Sequence, residues 1–207
     1  APETPKGFIV ATQNANSFRT KTKRRTMVRR MADCNIDMCC ITHTNLPTST
    51  LTRWRSGHVL FSSGDRHQPK GKGVGFLLSG SFFSALEREP IFVPTSGRTA
   101  TLRVRAHSLD LLFVLHYAPH SGYPVATRQH ARAELDHAIG LARPNEVLVL
   151  GGDFNASIGG CALAPDGVCG PYGNSRLSST GLELRQTLAS HSLFAPSTYT
   201  RNSTSGT

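Results

Sequence analysis

Residues 151–156 read Gly-Gly-Asp-Phe-Asn-Ala and follow the apolar run Val147–Leu150. A carboxylate and an amide two positions apart fall on the same side of an extended chain. Asp153 could then orient or deprotonate a water, while Asn155 could hold a phosphoryl oxygen or the nucleophile without itself titrating. Taken alone, the motif reads better as a Gly-Gly turn with Asx caps. Two other segments bring similar chemistry. Tyr117-Ala118-Pro119 ends a second apolar run, where a phenol can donate to a developing phosphate charge and the proline stiffens the exit. Asn14 follows a third such run, Phe8–Thr12. Three strand ends, each with a polar side chain suited to phosphate or metal, are the arrangement expected of metal-assisted phosphodiester hydrolysis.

The elements that must position these groups follow from hydrophobic spacing. Phe8–Thr12 is expected as a short strand. Met27, Val28, Met31 and Ala32 recur at helical spacing and predict an amphipathic helix over Thr22–Cys34. Its polar face carries Arg24, Arg25, Arg29 and Arg30, a solvated face residue by residue and a phosphate-binding group when taken together. Ile36–Ile41 has the length and content of a buried strand, which puts Thr42, His43 and Thr44 at its carboxyl end. Val59–Ser62 and Val74–Ser79 are further strands. Gly73 and Gly75 suggest close backbone approach there, and neither nucleotide-binding glycine fingerprint is present. Thr101–Ala106 and Leu109–Tyr117 form a hairpin about His107-Ser108. Val125–Ala142 reads as a helix stopped by Pro144-Asn145, and Val147–Leu150 as a buried strand. Thr180 and Glu183 have capping-box spacing for a helix over Gly181–Ser190, and Thr198–Thr200 begins one more strand. A strand-rich middle with interspersed helices predicts helices packed outside two facing sheets.

The chain has 207 residues and 22.4 kDa, the size of one domain. About 70% of the unfolded surface is buried at this length, so neither disulfides nor a structural metal are needed. A composition 38% hydrophobic and 17% charged excludes a disordered tail, a collagen and a coiled coil. No apolar run approaches the ~18 residues of a membrane span, so no membrane insertion is expected. Lys+Arg 23 against Asp+Glu 13 gives a net charge of +10, which favours DNA or another polyanion as partner. A subunit that sits against an anionic neighbour in a larger protein assembly would have the same balance. Five Cys residues without C-x-x-C spacing read as buried thiols in a reducing intracellular compartment, with Cys39 and Cys40 on opposite faces of their strand. The opening Ala-Pro-Glu-Thr has neither an initiator methionine nor a signal profile, as expected of a processed, excised or partial chain.

Taken in order, these segments resemble the endonuclease/exonuclease/phosphatase superfamily, and most of all its non-LTR retrotransposon endonucleases. Thr12-Gln13-Asn14 resembles the opening Thr-Trp-Asn, and Arg24-Arg25-Thr26 through Met31-Ala32-Asp33 the helix after it. Asp37-Met38-Cys39-Cys40-Ile41-Thr42-His43-Thr44 is similar to the second motif and Gly73-Val74-Gly75-Phe76 to the third. Tyr117-Ala118-Pro119 is similar to the fourth, Gly152-Asp153-Phe154-Asn155-Ala156 to the fifth, and Gly173-Asn174 with Gly181 and Leu184 to the segment that follows. The likeness implies a four-layer α/β sandwich of the DNase I type, two packed mixed sheets flanked by helices. It implies Asn14, Tyr117, Asp153 and Asn155 as catalytic residues, Mg²⁺ or Mn²⁺ as cofactor, Asn14 among the metal contacts, DNA as substrate and, for a retrotransposon product, the nucleus as compartment.

Two departures accompany the likeness. His43 stands where the family has a metal-binding Glu, and Mg²⁺ wants hard oxygen ligands whereas imidazole suits Zn²⁺ or Mn²⁺. The family's last strand with its Asp, and the Ser-Asp-His segment after it, have no counterpart before Thr207. The expectation is an endonuclease-like phosphodiesterase domain that acts on or binds DNA, impaired as written, with a divalent metal or none. The alternative is a non-catalytic, nuclease-like structural or binding subunit.

Overall fold

The computed structural model describes residues 7–67, 70–160, 166–173 and 175–199. It divides into two compact units, one of Ala1–Ala118 with Ala126–Asp153 and one of Pro119–Val125 with Phe154–Thr207.

The first unit holds two mixed sheets. One has β1 (Val10–Asn14), β2 (Met38–Thr42), β3 (Thr50–Arg53), β4 (Val59–Ser63) and β5 (Val74–Leu78) in the order β1-β2-β5-β4-β3. The other has β6 (Ile91–Pro94), β7 (Thr99–Ala106), β8 (Leu109–Tyr117) and β9 (Glu146–Asp153) in sequence order. Pairing is parallel between β1 and β2 and between β8 and β9, and antiparallel elsewhere. Every residue of β2 is buried, because both faces of its sheet are covered. Met38 and Cys40 enter the core between the sheets with Phe61, Phe76, Leu102 and Phe113. Cys39 and Ile41 point the other way, onto Phe18, Met27 and Met31. The two thiols thus take opposite faces, as strand alternation requires.

Helix α1 (Lys21–Asp33) supplies Met27 and Met31 to that outer layer, and Thr20 caps it by accepting from the Lys23 backbone N–H at 3.3 Å. On the second sheet, α3 (Val125–Gly140) buries Ala131, Leu135, Ala138 and Ile139. Its Glu134 accepts from Ser96 Oγ at 2.8 Å and from Thr99 Oγ1 of β7 at 3.3 Å. The layers are therefore α1, sheet, sheet, α3, the α/β sandwich expected. His107 and Ser108, at φ +51° and +63°, turn the β7–β8 hairpin.

Several expectations need correction. β1 runs to Asn14, not Thr12, because the parallel register continues to Asn14 opposite Thr42. Ser79 ends no strand; its Oγ accepts from Phe82 N at 3.1 Å and starts a short helix, α2 (Gly80–Ser84). β3 and β6 are sheet edges, exposed enough that no apolar alternation in the sequence marks them. Cys34 is exposed rather than buried, while Cys39, Cys40 and Cys169 are buried; Cys161 lies outside the described residues.

In the second unit, α4 (Ser179–Ser190) is capped by Ser178, whose Oγ accepts from Gly181 N at 3.0 Å. Ser178 has the extended backbone of a cap, and Thr180 already lies in the first turn, so Thr180 is not the capping residue that its spacing to Glu183 suggests. Pro196–Thr198 is a 3₁₀ turn, not the start of a strand: proline fixes φ there, and Thr198 Oγ1 folds back on Ala195 O at 2.6 Å. Thr200 and Asn174 lie outside the described residues. Arg185 is completely buried, with Nε and Nη2 on the Asp166 carboxylate at 2.7 and 2.6 Å and Nη1 on the carbonyls of Ile158 and Gly160 at 2.9 and 3.2 Å.

Candidate functional site

Sheet register places the polar side chains. Asn14 ends β1 beside Thr42, and Tyr117 ends β8 opposite Asp153, the last residue of β9. The glycines before Asp153 let β9 approach the other sheet. A Cβ on Gly151 would lie 3.1 Å from Thr12 Oγ1 and 3.3 Å from Cys40 Sγ, tighter than ordinary packing. Gly152 takes φ +151°, and a side chain there would strike the His116 carbonyl. With the strands this close, Asn14 Nδ2 donates to Asp153 Oδ2 at 2.7 Å. The backbone N–H of Ala118 donates to the Asp153 carbonyl at 2.9 Å and ties the two strand exits together.

His43 lies one residue past β2 in the left-handed region, at φ +56°. Its ring stacks on Tyr117, with centroids 5.5 Å apart and planes inclined by 21°, and Nδ1 lies 3.4 Å from Tyr117 Oη. Burial lowers the His43 pKa from its ordinary value; Asp153 opposes the shift, and Lys23 and Arg98 reinforce it. One residue earlier, the Thr42 hydroxyl is fully buried and has no hydrogen-bond partner among the described residues. Asp37 cannot substitute for a carboxylate at position 43. It precedes β2, at the opposite end of the strand, and its Oδ2 accepts from the Ile9 backbone N–H at 2.8 Å.

Two cations join the site through tertiary contacts. Arg98 is 7% exposed; its Nη1 donates to Tyr117 O at 3.2 Å, and its guanidinium stands 5.3 Å from the centre of the Tyr117 ring. No local pattern announces it, because its role comes from the β7–β8 pairing. Lys23 Nζ donates to the carbonyls of Ala15, at 3.1 Å, and Asn16, closing the loop after Asn14. Asn155 belongs to the second unit, where it takes φ +46° and its carbonyl accepts from Thr180 Oγ1 at 3.3 Å. On α1, Arg25, Arg29 and Arg30 are exposed. Arg24 is half-buried and donates through Nε to Phe18 O at 3.0 Å, and Arg29 makes an exposed pair with Asp33 at 3.9 Å.

A carboxylate held by an amide, beside a phenol stacked on an imidazole, can take and give protons around a bound phosphate. A hard divalent cation asks for more. It needs several oxygen ligands, and here Asn14 turns its nitrogen to Asp153 while its Oδ1 accepts from Asn16 N at 3.0 Å. No group of three or more His, Cys, Asp or Glu side chains that could hold a metal ion occurs among the described residues. The residues present do not fit a Mg²⁺ centre.

Three solved structures are similar in fold. The endonuclease domain of TRAS1, a telomere-specific non-LTR retrotransposon, aligns with TM-score 0.59 and 16% identity over 89% of this chain and 71% of its own. An AP endonuclease from Archaeoglobus fulgidus gives 0.56 and 16% over 89% and 70%. The 3′ phosphatase NExo from Neisseria, bound to a product DNA hairpin, gives 0.57 and 15% over 89% and 71%. No curated protein matches in sequence. The profile of the Endonuclease/Exonuclease/phosphatase family matches residues 11–205, and with the two-sheet sandwich this places the chain: it belongs to that family.

Proposed function

We propose that residues 1–207 form one endonuclease-like phosphodiesterase domain that acts on or binds DNA, with catalysis impaired at His43. The observation that carries this reading is the polar cluster itself. Asn14 holds Asp153 at 2.7 Å, joining the ends of the two sheets, and the His43 imidazole stacked on Tyr117 stands where the family likeness calls for a second carboxylate. In this reading Asp153 accepts a proton from water, Asn14 keeps its carboxylate in place, and Tyr117 and Asn155 orient a phosphate. Arg24, Arg25, Arg29 and Arg30 hold the DNA backbone, in keeping with a net charge of +10. The exposure of Arg25, Arg29 and Arg30 on α1 also favours a second reading, a nuclease-like binding subunit that never turns over.

Plasmid nicking with Mg²⁺ and with Mn²⁺ separates the possibilities. The unmodified chain is expected to nick weakly, His43→Glu to gain about 10²-fold or more, and Asp153→Ala to abolish the gain. Robust Mg²⁺ cleavage by the unmodified chain would overturn the impairment, and no gain in His43→Glu would favour the binding subunit. Neutralising the four arginines should flatten the salt dependence of duplex binding, by a slope of about 0.9 for each phosphate that is no longer neutralised.

A further inference from the structure

The outer surface of the first unit carries a groove that the strand-end cluster does not use. It lies between α1 and the turn after β3, has a volume of about 450 Å³, and counts Val28 and Trp54 among its lining residues. Lys21, Arg25 and Arg29 follow one another at four-residue intervals, about 6 Å of rise each, so they form a single cationic row along the helix. Arg24 and Arg55 also line the groove, and none of its lining residues is acidic. Trp54 is half-buried; its ring lies 6.2 Å from that of Phe18, tilted by 35°, and its backbone N–H donates to His58 O at 2.9 Å, so the hairpin turn holds it in place. Among the described residues no helix is long and apolar enough to cross a membrane.

We infer that this groove binds single-stranded nucleic acid, its phosphates along the row Lys21, Arg25 and Arg29 and a base against Trp54. A cationic wall suits any polyanion. Trp54 adds the selection: unpaired bases offer faces to stack on an indole, whereas a closed duplex keeps its bases stacked on one another and an acidic peptide brings charge without an aromatic plane. The site is separate from the cleft residues Asn14, Tyr117 and Asp153 but shares Arg25 and Arg29 with the proposed contact to the DNA backbone, so the inference rests on that part of the reading and deepens it by naming an unpaired strand as what those residues hold.

Trp54 is the chain's single tryptophan, which makes its fluorescence a reporter of this groove. The intact chain is titrated with a single-stranded oligothymidylate, a closed duplex hairpin and polyglutamate. Saturable quenching by the oligothymidylate is expected, weakening with salt and weakened about tenfold or more by Arg25→Glu with Arg29→Glu, two exposed positions that the fold tolerates. Asp153→Ala should leave the quenching unchanged, even where it changes nicking. Absence of quenching, equal quenching by the hairpin or by polyglutamate, or indifference to the double charge reversal would overturn the proposal.

Discussion

Asn14 and Asp153 are separated by 139 positions in sequence, yet the amide of one donates to the carboxylate of the other at 2.7 Å. One ends a strand of the five-stranded sheet and the other a strand of the four-stranded sheet. The contact exists because Gly151 lets β9 come within reach of Thr12 and Cys40. A double-mutant cycle measures what it contributes. Asn14→Ala and Asp153→Ala, alone and together, are expected to show a coupling of about 0.5–1.5 kcal/mol in urea unfolding, the range for a hydrogen bond that partly faces water. A coupling near zero would mean that the pair adds nothing in solution.

His116 gives the stability a pH dependence of known sign. It is 2% exposed, within 2.9 Å of Thr99 Oγ1, and burial with the nearby Arg98 charge lowers its pKa to about 3. The folded state therefore keeps the ring neutral while the unfolded chain protonates it near 6.5. Its contribution is complete above pH 6.5 and diminishes by about 1.4 kcal/mol per pH unit as pH falls toward 3. His43 acts with the same sign, its pKa also being lowered first by burial. Urea midpoints measured between about pH 7 and 4 should fall less steeply in His116→Gln than in the unmodified chain. Parallel slopes would show that His116 is not held neutral.

Arg185 anchors the second unit. Its guanidinium is buried on two carbonyls and on Asp166, whose pKa the Arg185 hydrogen bonds lower. Arg185→Met removes the buried fork and should destabilise by about 1–3 kcal/mol, because both carbonyls lose their donor while Asp166 stays partly solvated. Limited proteolysis reads the effect locally: cleavage within 154–199 should accelerate well before the sheets of the first unit open. The pair's contribution is present above about pH 4 and disappears as Asp166 protonates below it. Unchanged protection in Arg185→Met would remove the anchor.

Local pattern determined the interior of this protein. An unbroken apolar stretch must lie between two covered faces, so the strands around Cys39-Cys40 and before Tyr117 were legible, as was the side of α1 that carries Met27 and Met31. The polar residues that end those runs, Thr42 and Tyr117, were legible as the change from apolar to polar types, although the fold keeps both buried. Tertiary structure decided the rest. β3 and β6 are strands only because a neighbour pairs with them, their own residues being too exposed to show a period. Arg98 matters through its contact with Tyr117, and Asn14 meets Asp153 across the two sheets; both depend on register and sheet packing, which act between residues that no local spacing relates. Trp54 lines the arginine groove because a hairpin brings it beside α1, and it is packing rather than composition that gives a basic helix face an aromatic neighbour.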